Sequence, residues 1–196
     1  MEPIFIDDYE KREWLGREAL KELKQLYPNI FKYNIEFTPG RYDDYDAYYF
    51  IVDKDNKFKK YVWIEIKVRQ TTYSEYFLER EKLKRMEAQR DRLYINKDEV
   101  IFLYLNFCPE GTYCWNIANI DDGKWEARFM NESTSKNTKD KENKWVKLLD
   151  PQFSKQFDYI LNERQLLRNW KLNYLLPKVE QKLKNGEINA QLLFGK

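Results

Sequence analysis

The chain has 196 residues, 42% hydrophobic and 35% charged, with a formal net charge of +2. That length and composition predict one soluble globular domain with a core of its own, and no run approaches the ~20 apolar residues of a membrane span. Histidine is absent and cysteine occurs twice, which excludes a histidine base, a histidine metal ligand and a four-ligand structural zinc site.

The N-terminal stretch MEPIFIDDYEKREW is acidic and has no basic-then-apolar leader, so the expected location is the cytoplasm. Asp7 or Asp8 caps a first helix running to about Leu26, with Leu15, Ala19, Leu23 and Leu26 as its buried stripe. Tyr27-Pro28-Asn29 ends that helix. Ile30 to Thr38 alternates weakly as a first strand, with Glu36 near its end, and Pro39-Gly40 turns the chain onward.

Residues 42–70, YDDYDAYYFIVDKDNKFKKYVWIEIKVRQ, are two aromatic and β-branched runs around a polar Asp53–Lys57 segment. This is a β-hairpin pattern with its turn at Asp55-Asn56. In that register Ala47 meets Ile64, Tyr49 meets Val62 and Phe50 meets Tyr61. Asp46 then faces Glu65, and Asp44 faces Lys67. Directly opposed side chains lie about 5 Å apart at Cβ, where like charges destabilise. A divalent cation between Asp46 and Glu65 would reverse that sign. Without one, Trp63, Glu65, Lys67 and Arg69 form an ordinary solvated face, and Val62, Ile64, Ile66 and Val68 the buried one.

Thr72-x-x-Glu75 reads as a capping box opening a second helix over about 75–92, with Glu79 and Lys82 three apart on one face. EVIFLYLNF (99–107) is a near-continuous apolar run and predicts a central strand, and 112–120 its antiparallel neighbour. Cys108 and Cys114 flank a Pro109-Glu110-Gly111 turn and are expected as free thiols facing each other across it. Asp121-Asp122-Gly123 is a turn, and Trp125–Met130 a further short strand. Asn131–Asn143 is polar and without periodicity, either a mobile loop beside a nucleic-acid groove or a plain insertion. Asp150-Pro151 starts a helix carrying Phe153, Phe157, Ile160 and Leu161. A second helical stretch holds Leu167, Trp170 and Tyr174 up to a break at Pro177, and a third runs over Lys178–Lys184.

With no histidine, catalysis by this chain must rest on carboxylates, lysine, tyrosine and a hard, oxygen-bound ion such as Mg²⁺ or Mn²⁺. The order helix, Asp at a strand mouth, Glu-x-Lys on the hairpin partner, helix resembles the PD-(D/E)XK nuclease superfamily. Tyr45-Asp46 stands at the Pro-Asp element, with Tyr where Pro is common, and Glu65-Ile66-Lys67 stands at the (D/E)XK element, with 18 residues between Asp46 and Glu65. The resemblance covers roughly residues 10–120. Glu36-Phe37-Thr38 and Leu78-Glu79 add to a likeness with small single-domain members of bacteria and their phages.

That resemblance implies an α+β fold in one domain, 1–196. It would have a restriction-endonuclease-like core over about 9–130 and a central mixed sheet of about five strands flanked by helices. A polar loop at 131–144 and a C-terminal helical extension at 150–196 complete it. Asp46, Glu65 and the Ile66 backbone carbonyl would hold Mg²⁺ or Mn²⁺. Lys67 would orient or deprotonate the attacking water, or stabilise developing charge. A glutamate of the first helix joins the metal site in the superfamily, and Glu18 is the position carried over, with Glu22 competing. Lys82 would hold a phosphate and Glu79 would orient Lys67 or a water. Arg69, Lys82, Arg85, Lys136 and Lys139 are the expected nucleic-acid contacts, with DNA the expected partner and the bacterial or phage-infected host cytoplasm the setting. The C-terminal helices would extend the binding surface or form a homodimer contact. The alternatives are a nucleic-acid-binding protein that keeps the fold without turnover, and a phage structural or assembly protein.

Overall fold

A computed structural model describes residues 8–31, 33–39, 43–69, 71, 76–118, 120, 125–131 and 141–186. The paired strands β2 (Ala47–Val52) and β3 (Phe58–Val68) form the expected hairpin. Ala47 opposes Ile64, Tyr49 opposes Val62 and Phe50 opposes Tyr61, until a bulge between Ile51 and Val52 shifts the last pair. Asp53 makes the turn: its N–H donates to the Lys57 carbonyl, and its Oδ1 accepts from the N–H groups of Asp55 and Lys57 at 2.9 Å each. Asn56 takes the positive φ of 59° that such a turn needs.

Helix α1 spans Asp8–Leu26. Leu15, Ala19, Leu20 and Leu23 are buried, but Leu26, expected in that stripe, is exposed. The chain winds on past the helix end through Tyr27 to Phe31, and Phe31 is the buried side chain there, against Phe157. The first strand correspondingly shrinks to β1, Glu36–Phe37, paired with β2. Gly16 marks where α1 meets β3: an added Cβ would stand 2.7 Å from Ile66 Cγ2.

Tyr76–Glu79 is a strand, β4, and α2 begins only at Arg80, ending at Arg92. The expected capping box, 72–75, lies outside the described residues. Tyr76, Phe77 and Leu78 are β-prone, and β4 pairs with β8 (Lys141–Leu149), a strand the polar pattern of this region concealed. The 131–144 loop therefore contracts: Asn131 ends β7 (Glu126–Asn131) and Lys141–Lys144 belong to β8.

β5 (Val100–Cys108) runs parallel to β3, and β6 (Gly111–Asn116) antiparallel to β5. Cys108 lies opposite Gly111 and Cys114 opposite Leu105. The two thiols are free and buried, and they do not face each other. Asp150 caps a short 3-10 turn, Pro151–Phe153, rather than a helix. The chain then pairs with β6 as β9, Lys155–Phe157, and Phe153 is left exposed.

The result is a mixed six-stranded sheet in the order β1-β2-β3-β5-β6-β9, a second sheet in the order β4-β8-β7, and flanking helices. β3 is central, so Val62, Trp63, Ile64, Glu65 and Ile66 are buried in succession, on both faces.

Residues 162–186 belong to a second compact unit. Glu163–Trp170 (α3) and Leu176–Lys184 (α4) are joined by a π turn, Lys171–Leu175, rather than broken at Pro177. The Leu176 N–H reaches back to the Lys171 carbonyl. This widened turn lets the helix continue into a residue with no N–H to donate. No described helix is long and apolar enough to cross a membrane.

Candidate active site

Asp46 is the residue at which the hairpin ladder ends. Its N–H still donates to the Ile64 carbonyl (2.9 Å), while its own carbonyl accepts from the Thr38 N–H (3.0 Å). Arg17 Nη2 of α1 in turn donates to the Thr38 carbonyl (2.8 Å). With its backbone held from β3 and from the Thr38 segment, Asp46 turns its carboxylate onto β3, where Oδ2 accepts from the Ile66 N–H at 2.6 Å. Asp44, expected opposite Lys67, lies beyond the paired residues and accepts instead from Arg92 (2.9 Å).

Glu65 sits in mid-β3 with only 2% exposure, which rules out the solvated-face reading. Lys67 Nζ lies 2.7 Å from Oε1 and Lys82 Nζ 2.6 Å from Oε2. The Lys82 contact is an ion pair off hydrogen-bond geometry: among the described residues no donor meets Oε2 at a proper angle. Lys82 keeps 13% exposure and Lys67 39%.

The charges around this pair pull in opposite directions. Burial lifts the Asp46 pKa well above the usual carboxylate range, and the charges of Glu65 and Glu13 add to the lift, against Lys67 and Lys82. Burial would raise Glu65 too, but the charges of Lys67 and Lys82 outweigh it and hold Glu65 below its ordinary value. Burial would lower Lys67, yet Glu65, Tyr104 and Asp46 outweigh it and raise its pKa. Solvent at its partly exposed side chain tempers that rise. Lys67 is therefore an ammonium, which suits charge stabilisation and not proton abstraction.

Other expected residues sort plainly. Lys82 joins the site, as the partner of Glu65. Glu79 does not reach Lys67 by any described contact, and its Oε2 accepts from Lys144 Nζ (3.1 Å), the strand β8 having brought that lysine alongside. Glu18 is paired with Lys21 at 2.6 Å, Glu22 accepts from the Tyr159 hydroxyl (2.9 Å), and Glu36 is engaged by the Tyr48 hydroxyl. Arg69 Nε donates to Asn106 Oδ1 (3.1 Å) and its Nη2 to the Tyr104 hydroxyl (3.4 Å). Arg85 is exposed on α2. Lys136 and Lys139 lie outside the described residues.

Glu13 is an α1 carboxylate whose charge bears on Asp46. Tyr9, one turn earlier, bonds to Glu13 and feels both Asp46 and Lys67. The signal was Gly16: the glycine that lets α1 touch β3 shares its helix face with the residue three before it. Tyr104 and Asn106 were legible only as strand residues, and the parallel register places them beside Glu65 and Lys67.

Among the described residues, no three Asp, Glu or Cys side chains stand together as a metal-holding group. Mg²⁺ asks less: it is commonly held by one or two carboxylates, with water and phosphate oxygens completing the octahedron. Asp46, Glu65 and the Ile66 carbonyl are hard oxygen donors of that kind, and Glu65 Oε2 is buried with hydrogen-bonding capacity to spare. The chain matches no family model and no curated protein.

Proposed function

We propose that this protein hydrolyses nucleic-acid phosphodiester bonds with Mg²⁺ or Mn²⁺, as a PD-(D/E)XK-type nuclease on a restriction-endonuclease-like core. The observation that carries the reading is the carboxylate of Asp46, at the mouth of β2, held on the β3 backbone next to Glu65, with the Lys67 ammonium on Glu65. The order of elements supports it: α1, three antiparallel strands, the short β4 of the second sheet, α2, then a strand parallel to β3.

Asp46, Glu65 and the Ile66 carbonyl would hold the ion, which would supply an activated water and neutralise charge on the transferring phosphoryl group. Lys67 stays protonated and donates toward the oxygen on which negative charge develops. Lys82 keeps Glu65 ionised and fixed inside the fold. Glu13 adds negative charge near Asp46 from the helix side.

A second reading, nucleic-acid binding without turnover, is favoured by one feature: both oxygens of Glu65 are already within 2.7 Å of an ammonium. One experiment separates the two. Purified protein is incubated with plasmid and with single-stranded DNA in Mg²⁺ and in Mn²⁺. Metal-dependent cutting that Glu65→Ala and Lys67→Ala both abolish supports the nuclease. Binding without cutting in either metal favours the second reading, and neither binding nor cutting removes both.

A further inference from the structure

The hairpin that delivers Asp46 and Glu65 also carries a row of aromatic rings. Tyr45, next to Asp46, stacks on Trp63 with centroids 4.7 Å apart and meets Tyr48 edge-on at 6.1 Å. Tyr48 meets Phe50 at 5.7 Å, Phe50 meets Tyr61 at 5.4 Å, and Tyr61 meets Phe58 at 4.5 Å. Strand alternation puts Tyr48, Phe50, Tyr61 and Trp63 on the face that also carries Glu65. From Glu65 to Tyr61 is ~13 Å along the strand at ~3.3 Å per residue.

Cross-strand ring pairs stabilise hairpins, and that accounts for Phe50 against Tyr61. It does not account for the outer end of the row, where Phe50 and Phe58 remain 41% and 42% exposed. The same segment, 53–60, carries four lysines (54, 57, 59, 60) against two aspartates (53, 55), a surplus of two positive charges. At the inner end Asp44 is paired with Arg92, while Asp43 beside Tyr45 and Glu36, which accepts from the Tyr48 hydroxyl, keep their negative charge.

We propose that the outer rings of this row, the exposed Phe50 and Phe58 with the half-buried Tyr48 and Tyr61, are a stacking platform for the unpaired bases of single-stranded nucleic acid on the hairpin that carries the Asp46–Glu65 site, with Trp63 buried in the core beneath them. A duplex hides its base faces, whereas unpaired bases stack on aromatic side chains irrespective of sequence, and lysines beside them meet the backbone. A protein partner would also cover exposed rings, but the surplus lysines and the continuity with a phosphodiester site fit a polyanion. The inference rests on the nuclease reading and names its substrate class.

The test is binding in EDTA, so that hydrolysis plays no part. Fluorescence anisotropy compares a fluorescein-labelled oligothymidylate of about 16 nucleotides with its duplex. The single strand binds at least about tenfold tighter, and Phe50→Ala and Phe58→Ala each weaken it by about tenfold. Phe50→Leu, which keeps an apolar side chain without a π face, weakens it similarly with the fold intact by circular dichroism, and Phe50→Trp preserves it. Equal affinity for both forms, or Phe50→Leu binding like wild type, overturns the proposal. So does sedimentation showing that the rings mediate self-association in place of DNA binding. Cutting that needs Glu65 while the ring variants bind normally defeats this inference alone. Ring-dependent single-strand binding with no cutting in any metal defeats the nuclease reading alone.

Discussion

Replacing Lys82 by methionine removes one of two ammonium groups from a carboxylate that has 2% exposure. Methionine keeps most of the side-chain volume where α2 faces Glu65 of β3, so the change is chiefly electrostatic. Deleting one partner of a buried ion pair costs about 3–5 kcal/mol, because the remaining charge is left uncompensated. Here Lys67 still lies 2.7 Å from the other oxygen, which places the loss at the lower end, about 3 kcal/mol. With a urea slope of about 2 kcal/mol/M, the unfolding midpoint falls by about 1.5 M. Glu65→Gln combined with Lys82→Met removes the stranded charge and recovers much of the loss, so the double-mutant cycle shows strong coupling. Urea unfolding followed by circular dichroism measures all three variants. A loss below about 1 kcal/mol, the range of exposed pairs, or strictly additive single effects, would refute the burial and pairing of Glu65.

Further predictions concern the surroundings of the pair. Gly16→Ala gains about 1 kcal/mol of helix propensity but forces a Cβ to 2.7 Å from Ile66 Cγ2, an overpacking cost of about 1–3 kcal/mol; a net loss in thermal melts is expected, and a clear gain would contradict the close approach of α1 to β3. Asp46 has a folded-state pKa above its unfolded value, so the folded protein holds a proton the unfolded chain releases, and its contribution falls as pH rises above about 4. Asp46→Asn therefore stabilises the protein at pH 7, with the gain shrinking toward pH 4; destabilisation at pH 7 in denaturant titrations would count against the clustered charges. Glu13→Gln lowers kcat/KM for DNA cleavage about 10–100-fold, the scale for groups that support metal ligands, whereas Glu18→Gln stays near wild type because Glu18 is engaged in a surface pair with Lys21. The reverse order would restore Glu18 to the site.

The hairpin was legible because its information is local: two β-prone runs, a turn-forming Asp53–Lys57 segment and a period of two together set the register that pairs Ala47 with Ile64 and leaves Asp46 at the mouth of the ladder. α1 was legible for the same reason, apart from Leu26, whose exposure depends on where Phe31 folds back. β4 and β8 were not legible, since Tyr76–Glu79 precedes a helix without a break and Lys141–Leu149 begins polar. Each becomes a strand through pairing with the other. Phe153 and Phe157 occur at helical spacing, but pairing with β6 decided that segment. In the site, Lys82 was legible as a groove residue and not as the partner of Glu65, because that contact joins α2 to β3 across the fold. Glu13 was missed because its neighbours Glu18 and Glu22 offer the same chemistry, and only the Gly16 contact tells which helix face meets the strand.

The convergence of Asp46 and Glu65 on one cation is tested most directly by titrating the metal-free protein with Mn²⁺ and following free Mn²⁺ by electron paramagnetic resonance. The wild type takes up an ion that both Asp46→Asn and Glu65→Gln lose and Glu18→Gln retains. Uptake unchanged in Asp46→Asn and Glu65→Gln, or no uptake by the wild type, would contradict the account.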